Sequence, residues 1–361
     1  WWVRAGAACT GGTARRKNAA TVAVGAGAEK NGGSVKDDDN TDLAVGGGVG
    51  GCALSWPAGA AANSVVSTSG VTTLGCGVTN GAVTLAAGVH ATSGLGLSVT
   101  QAIVTTPTSA GAGGTVRLEA DGTIGLSGSG VITSTGTTAG AGGEVFIHRT
   151  AAEGTARAIT LGADITAKGV GAGGGVVTVL NDDGNIVVSN GIDVSRGTTG
   201  SDGTIQLQAT TTIIGSGALV GDTDGKLLAK TTKVTGAANI SLDGGGTAAT
   251  GGTPSANKLA TVAFSTATAN NDGSVKYYDN TDLTVGTVGG VGALSSPAGV
   301  AANSVVSTSG VATLGGGVTN GAVTLAAGGH ATSGLGRSGT RRIVPTRTGR
   351  GGGGAGGAGG G

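Results

Sequence analysis

The sequence predicts an all-β chain wound as a parallel β-helix (a β-solenoid), with about three strands per coil and Gly-rich turns. A Gly-Gly or Asp-Gly doublet keeps returning, and its second residue falls at 114, 143, 175, 203 and 225, spaced 29, 32, 28 and 22 apart. Each doublet is followed by strand-like alternation, as in Thr115-Val116-Arg117-Leu118, Glu144-Val145-Phe146-Ile147 and Val176-Val177-Thr178-Val179. The composition is that of a β repeat, with 79 Gly in 361 residues, 11% charged residues, 2% aromatics and no Met. High Gly without aromatics also occurs in disordered chains, but the β-branched alternation between about 100 and 245 argues for a packed core.

One period holds three strands. The first unit gives 115–120, 123–128 and 131–135, broken at Asp121-Gly122 and Ser129-Gly130; the next gives 144–149, 158–161 and 164–168. The third gives 176–180, 185–189 and 191–195, with Asp182-Asp183-Gly184 as its turn. Alternate residues of a strand face opposite sides, so Val116/Leu118, Val145/Ile147, Val177/Val179 and Ile205/Leu207 are expected inside. Ile124/Leu126, Ile159/Leu161 and Ile186/Val188 serve the second strand in the same way. Arg117, His148, Gln206 and Gln208 suit the solvent side, whereas Phe146 does not. The corner glycines are expected to supply the positive φ of sharp turns.

A longer repeat overlies the short one. Thr21–Gly96 returns at Thr261–Gly336 with an offset of 240, and 70–96 differs from 310–336 only at Thr72/Ala312, Cys76/Gly316 and Val89/Gly329. Near-identical sequence among near-identical neighbours is expected to fold alike. The domain reading is an irregular edge at 1–20, solenoid repeats at 21–336, and a disordered Arg/Gly-rich tail at 337–361. Trp1 opens the chain without a charged-then-apolar leader, which fits a piece of a longer protein.

The duplication also tests candidate chemistry. Cys52 and Cys76 stand where the other copy has Gly292 and Gly316, and Trp56 where it has Ser296. With Cys9 the cysteines number three and form no C-x-x-C, so neither a disulfide nor a metal site is assigned. Asp38-x-Asn40-x-Asp42 has the alternating oxygens of a calcium loop, but Leu43 replaces the required Gly and no Glu closes it. It reads as a polar turn before a strand, and Asp37 and Asp38 become Tyr277 and Tyr278 in the second copy. The four Glu (Glu29, Glu119, Glu144, Glu153) form no close pair in sequence; His90 and His330 are one repeated position, and His148 stands alone. No catalytic, cofactor-binding or metal residue is assigned, and no cofactor is implied.

Net charge of +1 gives no general attraction to nucleic acid or anionic membrane. No apolar run is long enough to span a bilayer. Arg337, Arg341, Arg342, Arg347 and Arg350 lack the interleaved aromatics of a nucleic-acid tail.

Units of the form Gly-Gly-x-Val-x-Leu-x-Ala-x-Gly-x-Ile-x-Leu, with Ser/Thr/Gly-rich linkers, resemble the filamentous haemagglutinin-type adhesins. So does Tyr278-Asp279-Asn280-Thr281-Asp282-Leu283-Thr284-Val285-Gly286 leading to Asn320-Gly321-Ala322-Val323-Thr324-Leu325. The likeness covers most of 20–336 as repeat style; the family's amino-terminal secretion domain is not visible. It implies a non-enzymatic, extracellular or cell-surface adhesin or filament segment, whose partners are surface glycans or proteins. The bare ends of a β-helix add an expectation of end-to-end self-association. The alternatives are a carbohydrate-active β-helix enzyme (lyase or glycosidase), which needs clustered acids, and an ice- or surface-binding solenoid. Thr133/Thr135, Thr210–Thr212 and Thr231-Thr232 are the threonines that suggest the last of these.

Overall fold

A computed structural model describes residues 21–22, 24–25, 36–39, 42–45, 54–55, 63–68, 70–75, 77–79, 81–89, 94–107, 109–150, 155–221, 223–232, 239–246, 255–266, 274–295, 303–316, 318–319, 322–327 and 337–339. Every secondary-structure element among them is a β-strand. The strands stack as three parallel sheets of 12, 8 and 14 strands, and up to Leu283–Val285 successive strands of the chain pass from sheet to sheet. The protein is a parallel β-solenoid.

The ladders follow the alternation. In the 14-stranded sheet Val83, Val116, Val145, Val177, Ile205, Leu227 and Val262 stack one above the other, beside Leu85, Leu118, Ile147, Val179, Leu207, Ala229 and Phe264. The 12-stranded sheet adds Leu97, Ile124, Ile159, Ile186, Ile213 and Ile240; the 8-stranded sheet adds Val78, Ile103, Ile132, Ile165, Ile192 and Leu219. All of these are at most 2% exposed, and each such burial contributes about 1.5–3 kcal/mol. The long strands of the first three units end within one residue of expectation, at Thr115–Ala120, Glu144–Arg149 and Val176–Asn181. The third strands are shorter than expected, only Ile132–Thr133, Ile165–Thr166 and Ile192–Asp193.

The corner glycines follow expectation in part: Gly184 has a φ of 143°, whereas Gly122 and Gly130 are not at positive φ, and the doublets act through close approach. Gly114, Gly143, Gly175 and Gly203 do not have positive φ. They form a column in which a Cβ would lie 1.7, 2.2, 2.0 and 1.9 Å from the carbonyl oxygen of Gly81, Gly114, Gly143 and Gly175 respectively. Close backbone approach between coils excludes a side chain there. The positive φ falls elsewhere, for example at Gly128 (60°) in the turn after Thr123–Ser127.

The two copies of the long repeat share their register. Thr21↔Ala44, Val24↔Leu54, Asp37↔Val66, Leu43↔Thr72, Leu54↔Val78 and Asn63↔Ala82 recur at an offset of 240 as Thr261↔Thr284, Phe264↔Leu294, Tyr277↔Val306, Leu283↔Ala312, Leu294↔Val318 and Asn303↔Ala322. The sheets they join differ. Asn63–Thr68 and Ala82–Ala87 belong to the 14-stranded sheet, but Asn303–Thr308 and Ala322–Ala327 belong to the 12-stranded one. Thr72–Leu74 and Ala312–Leu314 make the opposite exchange. The second copy is turned relative to the first, and in this turn Leu294–Ser295 and Val318–Thr319 also join the 14-stranded sheet, although their equivalents Leu54–Ser55 and Val78–Thr79 lie in the 8-stranded one.

The turn happens after Leu219–Val220, the last strand of the 8-stranded sheet. The preceding six-residue strand Lys226–Thr231 receives all of Thr261–Thr266, which in the first copy is split into Thr21–Val22 and Val24–Gly25 on two sheets. Three-residue Ile240–Leu242 receives Val275–Asp279. Phe264 and Tyr277 pack in the interior there with ring centroids 5.4 Å apart, both fully buried.

Buried polar groups finish the exposed ladder. Asn257 Oδ1 accepts the Leu219 N–H at 2.9 Å, while its Nδ2 donates to the carbonyls of Leu242 (3.1 Å) and Tyr278 (2.9 Å). The Lys258 backbone makes one further bridge to Val220. Asp279 Oδ2 accepts from the Leu259 N–H and the Tyr277 hydroxyl, and Oδ1 from the Thr281 N–H and hydroxyl. Burial raises the Asp279 carboxyl above its ordinary range against the pull of these bonds, and burial first, then Asp279, raises the Tyr277 phenol well above its own.

Candidate functional site

The outer side of the 14-stranded sheet is where chemistry-bearing side chains gather. Thr115–Ala120, Glu144–Arg149, Val176–Asn181, Thr204–Ala209 and Lys226–Thr231 are each six residues long and pair without a register shift. Their outward positions form rows: Arg117, Phe146, Thr178, Gln206, Leu228, and beside it Glu119, His148, Leu180, Gln208, Lys230. A third row runs Glu144, Val176, Thr204, Lys226, with Val176 39% exposed.

Arg117, Glu119, Phe146, His148 and Asp182 form the tightest cluster. The Arg117 guanidinium lies 4.3 Å from the Phe146 ring centroid and donates to Glu119 Oε1 at 2.6 Å. This explains how Phe146 is tolerated on the outer side: the cation covers its face and His148 meets its edge, with centroids 5.8 Å apart. The hydrogen bond with Arg117 holds the Glu119 carboxyl below its ordinary range against desolvation, and raises the guanidinium in turn. His148 Nε2 sits 2.8 Å from Asp182 Oδ2, and its Nδ1 is 3.7 Å from Glu119 Oε1. Since the two carboxylates flank opposite ring nitrogens, one ion cannot touch all three groups. Among the described residues no group of three His, Cys, Asp or Glu is arranged to hold a metal. The cluster can hydrogen-bond and stack; it offers no nucleophile aligned with a base.

The far end of this surface is closed by a tight hairpin. Val288 and Val291 pair across Gly289 and Gly290, both at positive φ (57° and 78°). Gly289 lies against Leu228, where a Cβ would stand 3.2 Å from Leu228 Cδ2. Val288 and the outward residue Ala263 are buried.

A cavity of about 760 Å³ opens where the 8-stranded sheet stops, lined by Arg196, Thr223, Lys258, Asn280, Thr281 and Asp282. Its aspartates are engaged by backbone N–H groups, and the Arg196 guanidinium donates to the Gly200 carbonyl at 2.8 Å. Asp202 and Asp224 bond each other's backbone N–H beside Arg196, and Asp282 accepts the Val311 N–H.

The sequence-predicted polar residues fall into place unevenly. Asp42 Oδ1 accepts the Val71 N–H at 2.9 Å, the bond that Asp282 makes to Val311 at 2.8 Å in the second copy, so this aspartate bonds to the adjoining coil. Asp37 to Asp39 lie in the strand Lys36–Asp39, not in a turn. Thr133 stacks between Val104 and Thr166, but Asp193 follows in that row and Lys168 pairs with it at 3.3 Å, which breaks the threonine array. Cys9, Cys52, Cys76, Trp56, His90 and His330 lie outside the described residues. Sequence reasoning missed Arg149, the third inward residue of Glu144–Arg149. It is fully buried and donates to the carbonyls of Thr155 (2.7 Å) and Asp183. The alternation Val145, Ile147, Arg149 carried that signal.

No helix among the described residues is long and apolar enough to cross a membrane, which leaves strand-built spans untouched. No protein-family description, curated protein or solved structure matches the chain.

Proposed function

We propose that the protein is a non-enzymatic, rigid scaffold of an extracellular or cell-surface adhesin or filament, with the outer side of its 14-stranded sheet as the contact surface for glycans or proteins. The observation that carries this reading is the run of six-residue strands paired in one unbroken register from Thr115–Ala120 to Lys226–Thr231. Such a ladder fixes its outward rows about 4.8 Å apart and resists bending, as a spacer that presents a surface must. That surface mixes a covered aromatic, the exposed Val176 and both signs of charge, the chemistry of polar recognition.

The test is binding and turnover in parallel. The purified chain is expected to bind cells or an immobilised glycan or protein panel, and to release no product from polysaccharides. Arg117→Ala with Phe146→Ala is expected to weaken that binding at least tenfold with an unchanged β-sheet spectrum. Equal binding by this variant would remove the surface from the proposal. Polysaccharide cleavage abolished by Glu119→Gln or Asp182→Asn would replace the scaffold reading with the enzyme one.

A further inference from the structure

The connections from the 8-stranded to the 14-stranded sheet shorten along the chain, from 134–143, 167–175 and 194–203 to 221–225 and, after the single bridge at Lys258, to 259–260. A long connection followed by short ones leaves a step in the surface, and the cavity of about 760 Å³ lies there. Arg196 stands on the last long connection, Thr223 on the first short one and Lys258 just before the shortest; Asn280, Thr281 and Asp282 of the next coil complete the lining. Arg196 and Lys258 lie outside the duplicated segment, so this cleft belongs to the join and not to the repeat.

Backbone bonds hold the lining in place. The Lys258 N–H donates to the Leu219 carbonyl and its own carbonyl accepts the Gly221 N–H, both at 2.9 Å. The Asn280 N–H donates to the Asn257 carbonyl at 2.9 Å, and the Arg196 N–H to Asp202 Oδ1 at 2.6 Å. The charged groups left to the cavity are mostly donors. Lys258 is exposed, and among the described residues its ammonium has no acceptor. The Arg196 guanidinium donates from Nη1 to the Gly200 carbonyl and keeps further N–H groups. Asn280 Oδ1 accepts the Ser309 hydroxyl at 2.7 Å, which leaves its Nδ2 to donate. Thr223 and Thr281 donate their hydroxyl protons to Asp202 and Asp279, so towards the cavity they accept. Asp202 and Asp224 bond backbone N–H groups and do not line the cavity; Asp282 does, with Oδ1 on the Val311 N–H at 2.8 Å.

Two cations on one cavity call for an anion, while the Asp282 carboxylate disfavours a densely charged one. The threonine oxygens and the Asn280 amide suit a ring that carries hydroxyls. No aromatic side chain is among the lining residues, so charge-assisted bonds and not stacking must carry the affinity. We propose that this cleft binds a hexuronate unit of an acidic saccharide, its carboxylate against Lys258 and Arg196 and its hydroxyls against Asn280, Thr223 and Thr281. The volume falls within the range of about 300–1,000 Å³ usual for ligand clefts. This site is separate from the outer sheet surface and does not depend on it.

Isothermal titration calorimetry of the full chain with digalacturonate tests it. Binding is expected, about tenfold or more tighter than that of neutral digalactose. Lys258→Ala and Arg196→Ala are each expected to weaken it on the order of tenfold with an unchanged β-sheet spectrum. Arg117→Ala with Phe146→Ala is expected to leave it unchanged, and loss of binding in that variant would overturn the cleft as the site. No binding, equal binding of digalactose or of a glutamate dipeptide, tighter binding of a sulfated disaccharide, or full binding by either cleft variant would each overturn the proposal. Should a cleft variant fail to fold, the wild type decides. Digalacturonate is expected to slow amide exchange at 258 and 280–282, and slowing elsewhere only, or none, overturns the site.

Discussion

The two copies of the long repeat keep the same strand pairs and place them on different sheets, so register and face are specified separately. Register is local: Leu43↔Thr72 and Leu283↔Ala312 are set by neighbouring repeats whose sequences nearly coincide. Face is inherited from the coil before. Lys226–Thr231 offers six residues of ladder, and the strand arriving on it joins that sheet along its whole length. What differs between the copies is concentrated there. Phe264 stands for Val24, and Tyr277 for Asp37; the aromatic pair fills the interior at the turn. A solenoid can thus change its cross-section without altering any pairing inside the repeat.

The sharpest way to break that comparison is to give the second copy the first copy's residue. Tyr277→Asp places a carboxyl in a fully buried site beside Asp279, whose oxygens are already engaged. The expected loss is about 4 kcal/mol or more, enough to unfold the second copy while the ladder at 115–220 persists. Phe264→Ala is expected to cost about 3–5 kcal/mol from the cavity alone. Hydrogen exchange checks both, through amides at 275–285 against those at 145–180. Equal deprotection of both regions would show a single cooperative unit, and no change at 275–285 would show that the aromatics do not hold the turn.

Asn257 comes next. Asn257→Leu keeps the volume but leaves the Leu219 N–H and the Leu242 carbonyl without their side-chain partner, while the Tyr278 carbonyl keeps the Ser255 hydroxyl. A loss of about 2–4 kcal/mol is expected, with the Leu219 amide exchanging first. An unchanged Leu219 amide would mean that the Lys258 bridge suffices to finish the sheet.

Much of this architecture was legible before any coordinates, and the reasons are physical. A period of two in the strands and about thirty in the doublets reports inside, outside and coil length, which are nearest-neighbour properties. Hence Val116, Leu118, Val145, Ile147, Val177, Val179, Ile205 and Leu207 are all at most 1% exposed, as their alternation requires. The face turn was not legible, because it depends on which strand lengths meet between 226 and 266, and identical repeats look alike on any face. The Arg117–Phe146–His148 cluster joins strands about 29 residues apart and appears only once register is known. Phe146 looked misplaced for want of the cation that covers it. The doublets mark the coil length because close approach, and not positive φ, selects glycine at Gly143 and Gly175.

A finer difference between the turn and the regular ladder lies in pH response. Asp279 has its carboxyl raised by burial, so the folded form binds the proton more tightly than the unfolded form does. Its contribution is fully present below the ordinary carboxylate range and is lost as pH rises through the elevated folded value. Amide protection at 275–285 is therefore expected to strengthen on mild acidification, and Asp279→Asn to flatten that response. Protection that weakens over the same window would mean that the bonds from Leu259, Tyr277 and Thr281 outweigh desolvation.

The smallest expected effect belongs to the regular ladder, at Arg117 and Glu119. Their side chains are 44% and 30% exposed, so solvent screens the pair, and its worth is at most about 1 kcal/mol. The sign is opposite to that at Asp279. Because the bond with Arg117 holds the Glu119 carboxyl low, its contribution is present above the ordinary carboxylate range and lost as pH falls through the folded value. Arg117→Ala also uncovers Phe146, adding about 0.5–1 kcal/mol of lost cation–π contact. Arg117→Lys separates the two contributions, since the ammonium keeps the charge for Glu119 and gives up the planar stacking. Denaturant midpoints of the Ala and Lys variants at neutral and acidic pH are expected to differ most where Glu119 is ionised. A gap of the same size at both pH values would mean that the Glu119 charge carries no energetic weight, and that what the Lys variant keeps is the packing of its aliphatic stem on Phe146.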